Sequence, residues 1–179
     1  GIENSVTGED GIITINLLNG ETLNKYLPNG SEILASEYDF PKNSDNDIFI
    51  NPSRLENVHY QAILAHEFGH ILEKEEREKI WNLISVDLAT QSNKGFVEKP
   101  LEHKLQVLSQ IYSNSMILET EAWNSGKIVA DLLGIDQHIY EEMMVDGIDG
   151  HYSAELHTLG QSIVEKCPEI KDQDTFEIY

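Results

Sequence analysis

The sequence predicts an α+β fold in which a small N-terminal twisted sheet packs on a mostly helical body. Strand signals are confined to residues 1–52, where short β-branched runs alternate with turn sequences. From Ser53 onward, apolar residues recur with the period of an α-helix. A chain of 179 residues is about one domain long. We therefore predict a single domain with a β-rich lobe at 1–52 and a helical body at 53–179.

Three short segments of the β-rich lobe have the composition of strands. Each is apolar or β-branched, and turn signals such as Asn19-Gly20 lie between them. The predicted strands cover 12–17, 32–35 and 47–51. The polar stretch from 39 to 47 is predicted to be a loop.

The helical body is predicted to contain five helices. The first begins at Ser53, which can cap it because Glu56 stands three residues later, as in a capping box. Gly134 ends the long third helix, and the glycine-containing segment 147–150 is predicted to be a loop. The helices cover 53–73, 75–89, 101–133, 136–145 and 152–166, and an acidic tail begins at Pro168. Ser113-Asn114-Ser115 is a candidate break in the third helix.

The charge of the chain excludes several classes of function. Twelve Lys and Arg stand against 32 Asp and Glu, so the formal net charge is −20. Such a surface repels nucleic-acid phosphates and anionic lipids, so we expect neither nucleic acid nor a membrane as a partner. The same charge attracts cations and basic peptide segments.

Residues 1–20 lack the basic and apolar regions of a signal peptide, and no stretch approaches the ~20 apolar residues of a spanning helix. The only cysteine, Cys167, excludes a disulfide within the chain. We predict a cytoplasmic protein, with secretion after processing as the alternative.

His66-Glu67-Phe68-Gly69-His70 forms an H-E-x-x-H motif on the first predicted helix. Residues i and i+4 lie on one helix face, so both imidazoles can reach one metal ion, and zinc suits such ligands. Glu67 is displaced around the helix, where it can act as a general base on water rather than bind the metal. Gly69 costs about 1 kcal/mol of helix propensity relative to Ala, which indicates that another element packs closely there.

A catalytic zinc requires a third protein ligand, and the predicted helix at 101–133 offers two carboxylates. Glu119 shares its face with Ala122, Gly126 and Ala130, whose small side chains allow another helix to approach closely. Glu121 lies on a different face. We prefer Glu119 as the ligand and keep Glu121 as the alternative ligand or as an acceptor for the proton of a ligand histidine.

These motifs resemble those of gluzincin-type zinc metallopeptidases. The segment 47–73 is similar to the strand-then-helix core of the ImmA/IrrE family, and Glu119-Thr120-Glu121-Ala122 resembles that family's later helix. The E-x-x-A pattern also resembles the third-ligand helix of anthrax lethal factor, whose own motif is likewise H-E-F-G-H. Trp123 stands where these families usually carry Asp, Glu or Asn.

The resemblance implies a zincin-like fold and a zinc-dependent endopeptidase that hydrolyses peptide bonds of a protein substrate. One catalytic Zn²⁺ would be held by the motif histidines and Glu119, and Glu67 would be the general base for a zinc-activated water. The resemblance also implies that the strand at 48–50 lies at the sheet edge above the cleft and holds an extended peptide.

A zincin also supplies a hydrogen-bond donor for the oxyanion, often His or Tyr. We favour His151 and Tyr152, because they follow the predicted loop at 147–150. The other candidates are Tyr112, Tyr140 and His157.

Two other interpretations of the chain stay open. One is a non-catalytic zincin-fold binding or regulatory protein, such as one encoded by a phage or a mobile element. The other is a processed segment of a larger polyprotein, which the initial Gly1 suggests.

Overall fold

The computed structural model describes residues 1–170 of the chain. The strands are β1 (Ile2–Thr7), β2 (Ile13–Leu17), β3 (Ile33–Ala35), β4 (Lys42–Ser44) and β5 (Asp47–Ile50). The helices are α1 (Val58–Leu72), α2 (Lys74–Ser92), α3 (Leu101–Leu133) and α4 (Gln137–Lys166). The predicted α+β class, with N-terminal strands and a mostly helical body, is confirmed. The predicted acidic tail starts in a 3-10 turn at Pro168–Ile170, and its residues 171–179 lie outside the described residues.

Two compact units make up the chain. Unit 1 contains Gly1–Glu75 and Glu119–Gly147, and unit 2 contains Glu76–Leu118 and Ile148–Tyr179. All five strands of the described residues precede α1, as the predicted lobe at 1–52 requires. That the chain is a single domain stays a prediction.

The strands of unit 1 pair in two sheets. β1 and β2 are antiparallel, and the other sheet has the order β3-β5-β4, in which β5 runs parallel to β3 and antiparallel to β4. β5 is therefore the central strand, so the expectation that residues 48–50 form the sheet edge is wrong. The two outer strands of this sheet are β3 and β4.

Sequence patterns did not predict β4, because its three residues are polar and exposed. The strand exists because Asp45 and Asn46 form a two-residue hairpin turn with positive φ angles of 51° and 72°. Asp and Asn tolerate this left-handed conformation better than other non-glycine residues, and it suits a tight β-hairpin. The turn pairs Asn43 with Ile48, so the predicted loop at 39–47 is wrong for residues 42–44.

The start of α1 also differs from the prediction. Ser53 lies in a 3-10 turn, where its backbone N–H and hydroxyl both donate to Asn51 Oδ1. The helix begins at Val58 instead, and Asn57 is its cap, since Asn57 Oδ1 accepts from the backbone N–H groups of His59 and Tyr60. Asn is as good a cap as Ser, and the sequence pattern does not separate the two.

The structure forms α4 as one helix where the sequence predicts two helices and a loop. Gly147 and Gly150 lie inside it. Glycine lowers helix stability without forbidding the helical conformation, and no proline interrupts this segment. The predicted loop at 147–150 is therefore wrong, and so is the argument that placed His151 and Tyr152 after it.

Helix α1 and the part of α3 that lies in unit 1 cross at two glycines. A Cβ atom at Gly69 would overlap the carbonyl oxygen of Ala122 and come within 2.9 Å of the Gly126 nitrogen. A Cβ atom at Gly126 would in turn overlap the carbonyl of Ala65. The two backbones therefore touch directly, as the glycine in the H-E-x-x-H motif and the small residues of α3 predict.

Gly69→Ala should test this crossing. We expect it to lower the free energy of unfolding by about 2 kcal/mol or more, because the added methyl group has no space. Gly150→Ala is the matched control, since it is also helical and nothing lies within 4 Å of its added Cβ; it should raise stability by about 0.5–1 kcal/mol. Denaturant unfolding followed by circular dichroism measures both, and equal stability of the two variants would contradict the close crossing.

Unit 2 has its own apolar core. Phe96, Val107, Leu108 and Cys167 are buried together in it. Lys104 is fully buried beside this core, where its ammonium group donates to Val97 O at 3.0 Å and forms an ion pair with Glu169 Oε1 at 2.6 Å. The hydrogen bond from Lys104 lowers the pKa of Glu169. The ion pair fastens the last described turn of the chain to this core.

Glu169→Gln should lower the free energy of unfolding, because it removes the negative charge that pairs with the fully buried Lys104 ammonium group. Lys104→Met, which removes the charge itself, should stay within about 1 kcal/mol of the wild type. Because the pKa of Glu169 is lower in the folded state, its contribution is present above the ordinary value of 4.5 and disappears as the pH falls through the folded pKa. Unfolding titrations of both variants between pH 7 and acidic pH measure this, and a constant wild-type–Glu169→Gln difference would refute it.

No helix within residues 1–170 is long and apolar enough to cross a membrane.

Candidate metal centre

Three side chains of unit 1 converge where α1 and α3 cross. α1 presents His66 and His70 on one face, and α3 presents Glu119 towards them. Glu119 lies one turn before Ala122 and Trp123 on the face that α3 buries. The backbone contact at Gly69 therefore brings the carboxylate of one helix to the imidazoles of the other.

The imidazole nitrogens and carboxylate oxygens of this cluster lie close together. His66 Nε2 lies 3.2 Å from His70 Nε2 and 3.2 Å from Glu119 Oε1. His70 Nε2 lies 3.5 Å from Glu119 Oε2. Among the described residues, this is the one group of three or more His, Cys, Asp or Glu side chains whose ligand atoms are close enough to share a metal ion.

These spacings fit a tetrahedral metal site. Two ligands that each lie about 2.0–2.2 Å from a tetrahedral zinc are about 3.3–3.6 Å apart. Hydrogen bonds alone fit less well. If both Nε2 atoms carry protons for Glu119, the two protons face each other, and if one Nε2 accepts from the other histidine, its lone pair faces the Glu119 carboxylate. A cation between them satisfies all three atoms at once. The donor set of two histidines and one carboxylate is also one that zinc accepts.

The electrostatics of the cluster favour a cation. The side chain of Glu119 is 14% exposed. Burial raises the pKa of its carboxyl, but the hydrogen bonds and charges of His66 and His70 outweigh this and hold the pKa well below its ordinary value. The group is therefore an ionised carboxylate at neutral pH.

Trp123 completes the inner wall of the site. Its indole Nε1–H donates to Glu119 Oε1 at 3.1 Å, and its ring stacks on His66 with 4.3 Å between the ring centres. Tyr140 of α4 donates its hydroxyl proton to the carbonyl of Trp123 at 2.8 Å. The candidate oxyanion donor Tyr140 is thus buried and engaged with the backbone of α3, and burial raises its pKa.

Glu67 follows His66 on α1, and a residue of β4 holds its carboxylate. Asn43 Nδ2 donates to Glu67 Oε2. The sequence analysis missed Asn43, because a lone polar residue in a three-residue strand carries no periodic signal. The Asp45-Asn46 turn that fixes the register of β4 was the one local indication available.

The remaining candidates are not members of the metal-ligand group. Glu121 is exposed, and its carboxylate is not part of the metal-ligand group. His151 and Tyr152 lie on α4 in unit 2, where His151 Nε2 is 3.1 Å from Ser115 Oγ and Tyr152 packs edge-on against Tyr112. His157 is exposed on the same helix. Their predicted roles stay predictions.

Compared with protein-family models, curated proteins and solved structures, the chain gives no match. The functional interpretation therefore rests on the geometry of His66, His70, Glu119 and their neighbours.

Zinc binding by two variants can test whether Glu119 or Glu121 is the third ligand. Glu119→Ala should lower zinc affinity by more than about 100-fold, because even the outer hydrogen-bond partners of ligands are worth about 10–100-fold. Glu121→Ala is the matched control and should bind zinc as the wild type does. Elemental mass spectrometry and competition with a chelating dye measure both. Loss of zinc from the Glu121 variant, with retention in the Glu119 variant, would reverse the assignment.

Proposed function

We propose that the chain is a zinc-dependent endopeptidase of the gluzincin type, with a zincin-like fold. The observation that carries the proposal is the cluster of His66, His70 and Glu119, each of which offers one ligand atom within 4.8 Å of the others. The neighbouring Glu67 supplies the general base that this class of hydrolase needs. The resemblance to ImmA/IrrE-type and lethal-factor-type motifs supports the same reading.

In the proposed reaction Glu67 takes a proton from water and later gives it to the amide nitrogen. When bound, zinc would polarise the carbonyl of the scissile peptide bond as a Lewis acid. Glu67 accepts a proton from a water molecule while the water oxygen attacks the carbonyl carbon. It then delivers that proton to the amide nitrogen as the C–N bond breaks. Asn43 holds Glu67 Oε2 during both transfers, which limits the rotation of the carboxylate.

The position of β4 suggests where a substrate lies. β4 pairs with β5 along one edge only, and Asn43 in this strand contacts Glu67. An extended peptide that adds to the other edge of β4 would pass beside the general base. This arrangement assigns to β4 the role that the sequence analysis gave to residues 48–50.

The charge of unit 1 favours cationic substrate segments. Unit 1 contains 20 Asp and Glu against five Lys and Arg, whereas the described part of unit 2 contains nine against six. A strongly negative surface around a cleft raises the local concentration of positive ligands, and salt screens the effect. Lys- and Arg-rich peptides are therefore the substrates to try first. A cytoplasmic location stays a prediction, and the buried, unpaired Cys167 supports it.

Glu67→Gln tests the mechanism. The variant should retain zinc, because Glu67 is not one of the clustered ligand atoms, and should lose about 10²–10⁴-fold in cleavage rate without its base. Glu56→Gln makes the same chemical change at an exposed position before α1 and is the control. A quenched-fluorescence library of Lys- and Arg-rich peptides measures cleavage, and chelating-dye competition measures zinc.

Wild-type cleavage by Glu67→Gln would sink the proposed mechanism. Stoichiometric zinc without cleavage of any peptide by the wild type would instead favour a binding or regulatory protein that has kept the metal site.

A further inference from the structure

His66 lacks the hydrogen bond that usually orients a metal-binding histidine. Its Nδ1 is buried and has no hydrogen-bond partner among the described residues. If Nε2 faces the metal, the proton of the neutral ring lies on Nδ1. Ligand histidines normally donate that proton to a carboxylate or carbonyl, which fixes the tautomer and the ring plane. Something else must therefore orient the His66 ring.

Trp123 is placed to take over this task. Its ring lies almost parallel to His66, with an interplanar angle of 22° and 4.3 Å between the ring centres. The indole Nε1–H simultaneously donates to Glu119 Oε1 at 3.1 Å. Trp123 thus contacts the ring face of His66 and one carboxylate oxygen of Glu119.

Trp123 is itself held tightly. It is 4% exposed, and the Tyr140 hydroxyl donates to its carbonyl. Gly147 of α4 packs directly against the indole. A Cβ atom at this position would be only 2.6 Å from Trp123 Cζ2. The indole therefore has little freedom to rotate away from the metal cluster.

We propose that Trp123 is a positioning residue of the metal site, which sets metal affinity by holding both the His66 ring and the Glu119 carboxylate. This inference rests on the proposed zinc site. It also makes Trp123 an internal reporter, because the indole contacts two of the side chains that would hold the ion, His66 and Glu119. Trp81, the other tryptophan, is 57% exposed on α2.

The experiment measures zinc affinity by chelating-dye competition in four proteins: the wild type, Trp81→Phe, Trp123→Phe and Trp123→Leu. Trp123→Phe keeps an aromatic face against His66 but loses the indole N–H, and Trp123→Leu loses both. We expect about a 10-fold loss of affinity for Trp123→Phe and up to about 100-fold for Trp123→Leu, the range seen for outer partners of metal ligands. Trp81→Phe should bind as the wild type does.

If Trp123 had a purely structural role, its substitution would change stability rather than zinc affinity. It would lower the melting temperature of the metal-free protein and leave the zinc dissociation constant of the folded protein unchanged. Wild-type affinity in Trp123→Phe and Trp123→Leu would therefore overturn the inference while leaving the zinc site intact. If Trp123→Leu does not fold, Trp123→Phe alone decides the question.

Fluorescence gives a second, independent readout. In the Trp81→Phe protein, zinc should change the emission of Trp123 in a titration that ends at one equivalent. Stoichiometric zinc binding without a change in emission would contradict the contact between the indole and the ligands. Absence of zinc binding by the wild type would overturn both this inference and the proposed function.

Discussion

The direct contact between the backbones of α1 and α3 is the constraint on which the proposed metal site depends. Three ligand atoms can share an ion only if the helices that carry them approach within a few ångströms. Gly69 and Gly126 make this possible, because neither carries a Cβ atom that would meet the carbonyl of the opposite helix. Each glycine lowers helix stability by about 1 kcal/mol relative to Ala. At Gly69 and Gly126 a larger residue would push the two helices apart and separate the ligand side chains.

One face of α3 serves both the crossing and the site. Glu119 and Trp123 lie one turn apart on it, and Ala122 supplies the carbonyl that Gly69 accommodates. Tyr140 and Gly147 of α4 both contact Trp123 in this turn. Packing and chemistry are therefore coupled here. A substitution that shifts the turn by a fraction of an ångström would move a ligand and its neighbour together.

The sequence predicted the parts of this arrangement that depend on helical period. The H-E-x-x-H spacing placed both imidazoles on one face, and the small residues beside Glu119 favoured it over Glu121. The bounds of α3 were predicted correctly, but the candidate break near 113–115 is wrong, because the helix is continuous there. The failures were local. β4 was missed because its pairing follows from a two-residue turn rather than from hydrophobic alternation, and Asn43 was missed with it. α4 was wrongly predicted as two helices, because the sequence does not show whether a glycine ends a helix or packs inside one. Gly147 lies inside α4, where it leaves space for the indole of Trp123.

The geometry also distinguishes the kind of metal site that the fold can support. Structural zinc sites are closed by four protein ligands, whereas catalytic sites keep one position for water or substrate. Three ligand atoms converge here, and Glu67 stands beside them with its carboxylate held by Asn43. The crossing is fixed by backbone contact and the cluster is braced by Trp123, so the ligands are brought together by the fold itself. The proposed three-ligand site, with Glu67 as its proposed base, therefore has the arrangement of a catalytic rather than a structural zinc centre.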